Sequence, residues 1–334
     1  MAETVKTLPR AGVDYPGSWP VFVSWFPDDD ACRAYLARLR WPGGFVCPAC
    51  SSGDAWETKR GLWMCRGCGR QTSVTAGTIF HRTRYPLQTW FGAAWFVCSQ
   101  KNGTSALGLQ RVLGLGSYET AWAWMHKLRR AMVRPGREQL GGPGLAVELD
   151  QTFVGGRAQA SRGRYDNKAE ITIAVERLHP KGLGRVRMRQ ITGERRKADI
   201  VDFAIEAVAD HSVLYTDGDR LYNDLPKRLD IIHEPIVLVH ATEPAHDLLP
   251  AVHRVASLLK RWLAGTLHYG QSTAHLDYYL DEFTFRFNRR NSRSRGMLFY
   301  RLLQQAVNTD PHPLHTLVAP PLPIEILTER RYWS

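Results

Sequence analysis

The sequence predicts a multidomain protein of the mixed α+β and α/β classes, and three observations support this. Its 334 residues exceed the usual span of one domain. Two close cysteine pairs precede a helical stretch, and a Pro- and Gly-rich break separates that half from alternating apolar segments. We therefore expect a helical segment at 1–40, a metal-binding ribbon at 41–82, a helical region at 83–136, an α/β domain at 144–300 and a tail at 301–334.

The charge balance favours a polyanionic partner. Lys and Arg number 44 against 32 acidic residues, a formal net charge of +12. Nucleic-acid-binding proteins show such an excess, but so do proteins whose charge serves solubility, so the motifs have to decide. The N-terminus lacks the basic start and apolar run of a secretory signal, and no segment approaches the roughly 20 apolar residues of a membrane span. The expected location is the cytoplasm, in association with the nucleoid, with no membrane partner.

Four of the six cysteines form a metal-binding pattern. Cys47 and Cys50, followed by Cys65 and Cys68, give C-x2-C, fourteen intervening residues and a second C-x2-C. Each pair lets one tight turn present two thiolates, and two such turns close a tetrahedral zinc shell with no open position. We expect a structural Zn²⁺ in a zinc ribbon of short β-strands.

The chain from about Pro86 to Val133 is predicted to be helical. TSALGLQRVLG and the following LGSYETAWAWMHKLRRAM indicate a short helix, a glycine-containing turn and a longer helix that Ser117 caps. Spacings of three place Trp122, Met125 and Leu128 on the buried face of that second helix. The pattern is similar to a helix-turn-helix, and the alternative is a hairpin that packs against the zinc ribbon.

Two groups of basic residues are candidate DNA contacts, because cationic side chains neutralise phosphates. The first group lies near the end of the second helix and comprises Lys127, Arg129 and Arg130. The second lies in the C-terminal half and comprises Arg157, Arg286, Arg289 and Arg290. We expect double-stranded DNA as the partner.

Alternating apolar residues after the break RPGREQLGGPG predict β-strands. Three strands, in LAVELDQTFVGG, ITIAVER and RVRMRQI, would form an antiparallel meander. A helix from about Lys197 to Ala209, a fourth strand ending at Asp217, a fifth strand IVLVH and a helix in AVHRVASLLKRWLAG follow. The order βββαβ with a further strand and helix is the layout of RNase H-like nucleotidyl transferases.

Two aspartates lie where this layout brings strand ends together. Asp150 is near the end of the first strand, and Asp217 ends the fourth. Hard divalent ions prefer oxygen ligands, and phosphodiester attack uses two such ions about 4 Å apart. The alternative is that each aspartate caps a turn. Glu148 is expected on the opposite strand face from Asp150, and Asp219 is expected to be structural or solvated.

The sequence resembles the insertion-sequence transposases of the ISXO type, within the Merlin-related superfamily, over roughly residues 20–300. The matching pieces are the cysteine knuckles, TAGTIFHRTR, SQKNGTSALGLQRVLGLGSYETAW, HKLRRAM, VELDQTFVGG, YTDGD, SLLKRWLAGT and YLDEFTFRFNRR. The resemblance implies a DDE domain that cleaves DNA at element ends and joins the freed 3′ ends to a target with Mg²⁺ or Mn²⁺. It also implies a homo-oligomer on DNA, because two ends must be brought together.

The third metal ligand has two candidates. In the family this position varies among Asn, His and Glu and is followed by a lysine seven residues later, an interval that His253 and Lys260 have. Seven residues are almost two helical turns, so both side chains would face the sheet. The resemblance implies that His253 binds metal as a neutral imidazole, a softer ligand that would favour Mn²⁺, and that Lys260 holds a phosphate. Glu282 is the competing carboxylate, with an anchoring ion pair to an arginine as its alternative role.

Three functions are compatible with these features. The leading hypothesis is a transposase. The second is a zinc-dependent DNA-binding regulator derived from a transposase, in which the catalytic domain is inactive. The third is a zinc-ribbon nuclease that cuts DNA without strand transfer.

Overall fold

The structure is a computed structural model that describes residues 8–133, 136–155, 168–179, 181–192, 196–236, 248–267 and 273–318. The chain divides into two compact units. Of the described residues, those from 8 to 133 and from 291 to 318 form the first unit, and those from 136 to 290 form the second. This division differs from the domain boundary that the sequence predicts at residue 300.

The first unit begins with helices α1 (Trp19–Trp25) and α2 (Asp29–Arg40), in the segment predicted to be helical. The Asp28 side chain caps α2 by accepting a hydrogen bond from the backbone N–H of Ala31. A three-stranded antiparallel sheet follows, with β1 (Ala55–Glu57), β2 (Leu62–Cys65) and β3 (Gln71–Ser73) in that order. The short strands expected of the ribbon are therefore present.

Three helices occupy the next region, namely α3 (Leu87–Ser99), α4 (Ala106–Leu113) and α5 (Tyr118–Ala131). The side chain of Ser117 caps α5 by accepting the backbone N–H of Thr120, as predicted. Gly114 ends α4 at a φ of 63°, in the left-handed region that favours glycine. The predicted short helix, turn and longer helix are all present.

The buried face of α5 differs from its prediction at one position. Met125 and Leu128 are buried as expected, but Trp122 is only partly buried. Trp124 takes the buried position and stacks on Trp90 with 3.7 Å between ring centroids. The reason is that residues four apart also share a helical face, and Trp124 lies four residues before the buried Leu128.

The second unit contains a five-stranded sheet in the order β6-β5-β4-β7-β8. Its strands are β4 (Ala146–Val154), β5 (Ala169–Arg177), β6 (Leu183–Ile191), β7 (Val213–Asp217) and β8 (Ile232–Ile236). The meander β4-β5-β6 is antiparallel, whereas β7 is parallel to both β4 and β8. The fold class is the predicted one.

The fifth strand begins earlier in the chain than predicted. The sequence places it in IVLVH, whereas β8 shares only Ile236 with that segment, and residues 237–240 lie outside the described part of the chain. Strand β8 pairs only with β7 within the described sheet, and most of its residues are exposed or half-buried. Apolar patterning is therefore weak in this strand, which explains the displaced prediction.

Helices cover both faces of this sheet. They are α6 (Arg196–Ala207), α7 (Pro250–Leu267) and α8 (Leu276–Phe287). One apolar core joins β5 and β6 to α7 and α8, and a second joins β4 and β7 to α6. Helix α7 has 18 residues, and neither it nor any other described helix is long and apolar enough to cross a membrane.

The first unit is completed by α9 (Arg295–Ala306) and α10 (Leu314–Val318). Phe299 of α9 is fully buried and packs against the rings of Phe22 and Phe91, at centroid distances of 5.5 and 5.8 Å. Gly296 permits this packing, since a Cβ there would lie 1.8 Å from the carbonyl oxygen of Pro16. Residues up to 318 thus contribute to the N-terminal core, and the tail expected from residue 301 is in this part a packed helix.

Candidate functional site

The first candidate site is the cysteine cluster in the ribbon. The sulfur atoms of Cys47, Cys50, Cys65 and Cys68 all lie within 4.8 Å of one another. The Sγ atoms of Cys47 and Cys68 are 3.6 Å apart, and those of Cys50 and Cys65 are 3.5 Å apart. Zinc bound by four thiolates at about 2.3 Å separates the sulfurs by about 3.8 Å. The donor set and its spacing therefore fit a closed, structural Zn²⁺ site.

The ribbon has little apolar core apart from this cluster. The apolar cluster beside the three strands has Phe45 and two of the cysteines as its buried residues, with Trp41 and Trp63 packed against them. The rings of Phe45 and Trp63 stack at 5.4 Å between centroids. A core this small does not stabilise a fold by itself, so metal binding has to supply much of the folding free energy.

The second candidate site lies where β4 and β7 run side by side. These strands are parallel, and Leu149 is in register with Thr216. The next register position therefore places Asp150 beside Asp217, with both side chains on one face of the sheet. Burial raises the pKa of Asp150 to about 6, and the neighbouring charge of Asp217 contributes. The pKa of Asp217 is raised as well, mainly by burial.

Helix α7 brings a histidine to this pair. The Nε2 atom of His253 is 3.9 Å from Oδ2 of Asp150, and its side chain is about one-third exposed. A cation about 2.1 Å from each atom requires a separation of at most about 4.2 Å, so these two side chains fit a shared ion. Lys260 lies two turns further along α7 and is half-buried, and burial lowers its pKa.

The candidate ligands Asp150, Asp217 and His253, which we call the acidic site, lie farther apart than the four cysteine sulfur atoms. Among the residues that the structure describes, the four cysteines form the one group of three or more candidate ligands that converges within 4.8 Å. Asp150, Asp217 and His253 are therefore spaced more widely than a preassembled shell around one ion. A cation held by all three would require side-chain rotation toward it.

Glu148 lies on the same face of β4 as Asp150, whereas it was predicted on the opposite face. Residues two apart on a strand share a face, so the spacing in VELD was the available signal. The Glu148 side chain is fully buried, and its Oε2 accepts the backbone N–H of Val252 at 2.8 Å. The Nε atom of Arg177 lies 3.4 Å from its Oε1. Glu148 therefore lies beside the candidate metal ligands, a position that was not predicted for it.

Two other carboxylates have structural contacts. The Asp219 side chain accepts the backbone N–H of Leu221, and its own N–H donates to Asp217 at 3.3 Å, which is a turn-capping role. Glu282 is fully buried, and its Oε1 is 2.7 Å from Nη2 of Arg286. This ion pair is the alternative role that the sequence suggested for Glu282. The Arg286 side chain is only 12% exposed in this ion pair, and DNA contact by Arg286 stays a prediction.

The remaining C-terminal arginines also make contacts within the second unit. Arg289 donates to the carbonyl of Phe285 at 3.2 Å. Arg290 donates to the carbonyls of Gly184 and Phe287 at 3.1 and 2.9 Å, which joins α8 to β6. Both side chains keep partial exposure, so DNA contact by Arg289 and Arg290 stays a prediction. Arg157 lies outside the described residues.

The cations predicted on α5 lie mostly in the interior. Arg129 and Arg130 are only 3% and 8% exposed, so their burial does not favour DNA contact, which stays a prediction for these two residues. The last turn of α5 is enclosed by its own unit, in which Gln305 of α9 donates to the carbonyl of Ala131 at 2.5 Å. Lys127 is half-buried with its ammonium 5.9 Å from the centre of the Trp90 ring, and burial lowers its pKa.

A basic cleft of about 620 Å³ opens at the β5–β6 turn and the start of α7. Four cationic side chains line it, namely Arg177, Lys181, Arg254 and Arg290. No acidic side chain is among its lining residues within the described chain. A concave surface with charge of one sign concentrates anions such as phosphates.

Two family models match the chain. The model described as "ISXO2-like transposase domain" matches residues 139–288, and the one described as "Transposase zinc-ribbon domain" matches residues 27–71. None of the curated proteins matches. Among solved structures, a chain of "CryoEM structure of simian T-cell lymphotropic virus intasome in complex with PP2A regulatory subunit B56 gamma" is 13% identical. That match covers 64% of this chain and 73% of the other, with a TM-score of 0.30.

Proposed function

We propose that this chain, whose residues 139–288 belong to the ISXO2-like transposase domain family and residues 27–71 to the transposase zinc-ribbon family, is an insertion-sequence transposase. It would bind the ends of its element, cut the DNA there and join the freed 3′ ends to a target. The observation that carries the proposal is the register of β4 and β7, because it makes Asp150 and Asp217 neighbours on the face that α7 covers.

The catalytic centre in this proposal consists of Asp150, Asp217 and His253, which would hold Mg²⁺ or Mn²⁺. Such ions, when bound, activate an attacking water or 3′-hydroxyl and stabilise the leaving oxygen. The two carboxylates supply the oxygen ligands that hard cations prefer. The imidazole of His253 is a softer donor and favours Mn²⁺ over Mg²⁺. Lys260 would place its ammonium toward a DNA phosphate from the same helix as His253.

DNA binding is supported by the charge and by the basic cleft. The net charge of +12 attracts a polyanion, and the cleft concentrates four of the cations in the second unit. The zinc ribbon would contribute a further DNA-binding surface, folded around Zn²⁺. We propose that the protein acts as a homo-oligomer on double-stranded DNA, because strand transfer requires two element ends at once.

The direct test uses supercoiled donor DNA that carries the cognate ends, with Mg²⁺ or Mn²⁺. We expect wild-type protein to cut at the ends and to join the 3′ ends to a second DNA, and Asp150→Asn or Asp217→Asn to abolish both steps. Asp202→Asn is the matched control, since Asp202 is exposed on α6 and paired with Arg228 at 3.5 Å. End binding without nicking would support the regulator, and cutting without joining would support the nuclease.

A further inference from the structure

A buried carboxylate lies between the two elements that form the acidic site. Glu148 is on β4, two residues before Asp150, and its side chain is fully buried. Taking a carboxylate out of water is costly unless charged or hydrogen-bonding groups compensate for the lost hydration. Glu148 has both kinds of partner, the backbone N–H of Val252 at 2.8 Å and the guanidinium of Arg177 at 3.4 Å.

The hydrogen bond from Val252 joins Glu148 to the beginning of a helix. Val252 is the third residue of α7, which starts at Pro250. The first N–H groups of a helix have no acceptor within it, and the helix dipole makes them electropositive. The Glu148 carboxylate therefore caps α7 from a neighbouring strand, a role usually taken by a side chain next to the helix in sequence.

The same two elements carry a second contact immediately beside the first. His253 follows Val252 on α7, and Asp150 lies two residues after Glu148 on β4. The His253–Asp150 distance of 3.9 Å is therefore adjacent to the Glu148–Val252 hydrogen bond. Because both elements are rigid, fixing one contact restricts the other.

Arg177 supports this arrangement from the next strand. It is on β5, and its guanidinium is 5.2 Å from the centre of the Tyr215 ring on β7. Tyr215 is in turn the register partner of Glu148. Arg177 thus reaches across β4 and balances the buried charge of Glu148 while remaining 41% exposed itself.

From this geometry we infer that Glu148 is a positioning residue, which holds the first turn of α7 against β4 so that His253 stays within metal-sharing distance of Asp150. The inference rests on the proposed catalytic centre, but the hydrogen bond that it invokes can be measured without metal or DNA. The Oε2 atom of Glu148 accepts the hydrogen bond from Val252, and Oε1 lies 3.4 Å from Arg177 as an ion pair without a hydrogen bond, so we assign Glu148 to positioning and not to metal binding.

The experiment measures Mn²⁺ affinity of the zinc-loaded full chain and amide exchange at Val252. We expect Glu148→Ala to weaken Mn²⁺ binding by about 10-fold or more, as loss of a supporting contact to a metal ligand does, and to speed exchange at Val252. Glu148→Gln keeps an oxygen acceptor and should lose less. Glu176→Gln, which removes another carboxylate that is largely buried and paired with Arg185 at 2.6 Å, is the matched control and should change neither quantity.

A double variant separates positioning from general destabilisation. Because Glu148 acts through His253, Glu148→Ala combined with His253→Ala should bind Mn²⁺ no more weakly than His253→Ala alone. The inference would be overturned if the loss of Mn²⁺ affinity in the double variant equalled the product of the losses in the two single variants. Wild-type Mn²⁺ affinity in a folded Glu148→Ala protein would overturn it as well. If Glu148→Ala does not fold, exchange at Val252 in Glu148→Met decides, because methionine fills the space without an oxygen acceptor, and a rate equal to wild type overturns the inference.

Failure of the proposed function gives a different result. A wild-type chain that neither binds Mn²⁺ nor cuts DNA would contradict the catalytic centre. Exchange at Val252 would still decide whether Glu148 fastens α7 to β4, with faster exchange in Glu148→Ala supporting the contact and unchanged exchange refuting it.

Discussion

The imidazole Nε2 of His253 lies 3.9 Å from Oδ2 of Asp150, a contact that joins helix α7 to the central strand of the sheet. The two residues are 103 positions apart in the sequence, so only the fold brings them together. Glu282, the other candidate for a third ligand, is instead held by Arg286 in a buried ion pair. The geometry therefore favours His253 as the residue to test first.

His253→Ala should lower DNA cleavage by at least about 10-fold while leaving the affinity for element ends nearly unchanged. The reason is that the substitution removes a proposed metal ligand without removing any cation of the basic cleft. Cleavage rates and end-binding constants measured on the same preparations check this. Wild-type cleavage in His253→Ala, together with inactivity of Glu282→Ala in a folded protein, would transfer the role to Glu282.

The raised pKa of Asp150 predicts how stability changes with pH in the absence of divalent metal. The folded-state pKa of about 6 exceeds the usual value near 3.9, so the folded protein binds the proton more tightly than the unfolded chain. The stabilisation is complete below pH about 4 and is lost as the pH rises through about 6, with a size on the order of 1–3 kcal/mol.

Chemical denaturation of metal-free protein at pH 5 and pH 7 measures this change, with Asp150→Asn as the comparison. The asparagine variant should lack this contribution, and added Mn²⁺ should restore stability to the wild type at pH 7, since bound cations favour ionised carboxylates. An equal change with pH in wild type and Asp150→Asn would show that other groups cause it.

Zinc content should depend on four cysteines and not on the other two. We expect one Zn²⁺ per chain, loss of that ion in Cys47→Ser, and retention in Cys98→Ala, since Cys98 is buried in α3 outside the cluster. Elemental analysis measures the zinc content, and amide exchange across β1 to β3 measures whether the sheet stays folded. Chelation should unfold this small sheet and weaken DNA binding, because its apolar core is too small to fold alone. If DNA binding is undiminished without zinc, the ribbon is not part of the DNA-binding surface.

Charge reversal in the basic cleft should weaken DNA binding in a salt-dependent way. Lys181 and Arg254 line the cleft and are exposed, so Lys181→Glu with Arg254→Glu should lower affinity and reduce the salt slope by about two. The control pair is Lys227→Glu with Arg228→Glu, whose side chains are paired with Asp224 and Asp202. DNA affinity is measured by titration at several salt concentrations. If both double variants lose the same affinity, the loss is caused by the change in net charge and not by the cleft.

Much of the local structure follows from short-range patterns. Two C-x2-C turns, of which Cys47 and Cys50 form the first, are enough to make a metal site. Alternation of apolar and polar residues around Asp150 predicts a strand. The same alternation places Glu148 on the strand face of Asp150, so the sequence pattern already indicated the position that the structure shows for Glu148. Apolar periodicity did not predict the start of β8 at Ile232, because the described residues of this strand are exposed or half-buried.

The sequence by itself determined most of the segments that become ribbon, helix and strand, because these depend on neighbours a few residues apart. Asp217 ends its strand as predicted, whereas β4 continues four residues beyond Asp150, to Val154. Only the tertiary structure decided that Arg129 and Arg130 are enclosed, that residues up to 318 pack with the N-terminal helices, and that Glu148 caps α7. The physical reason is that burial of a charge and capping by a distant residue depend on which surfaces meet in space. Sequence periodicity reports the face that a residue occupies, and packing then decides what covers that face.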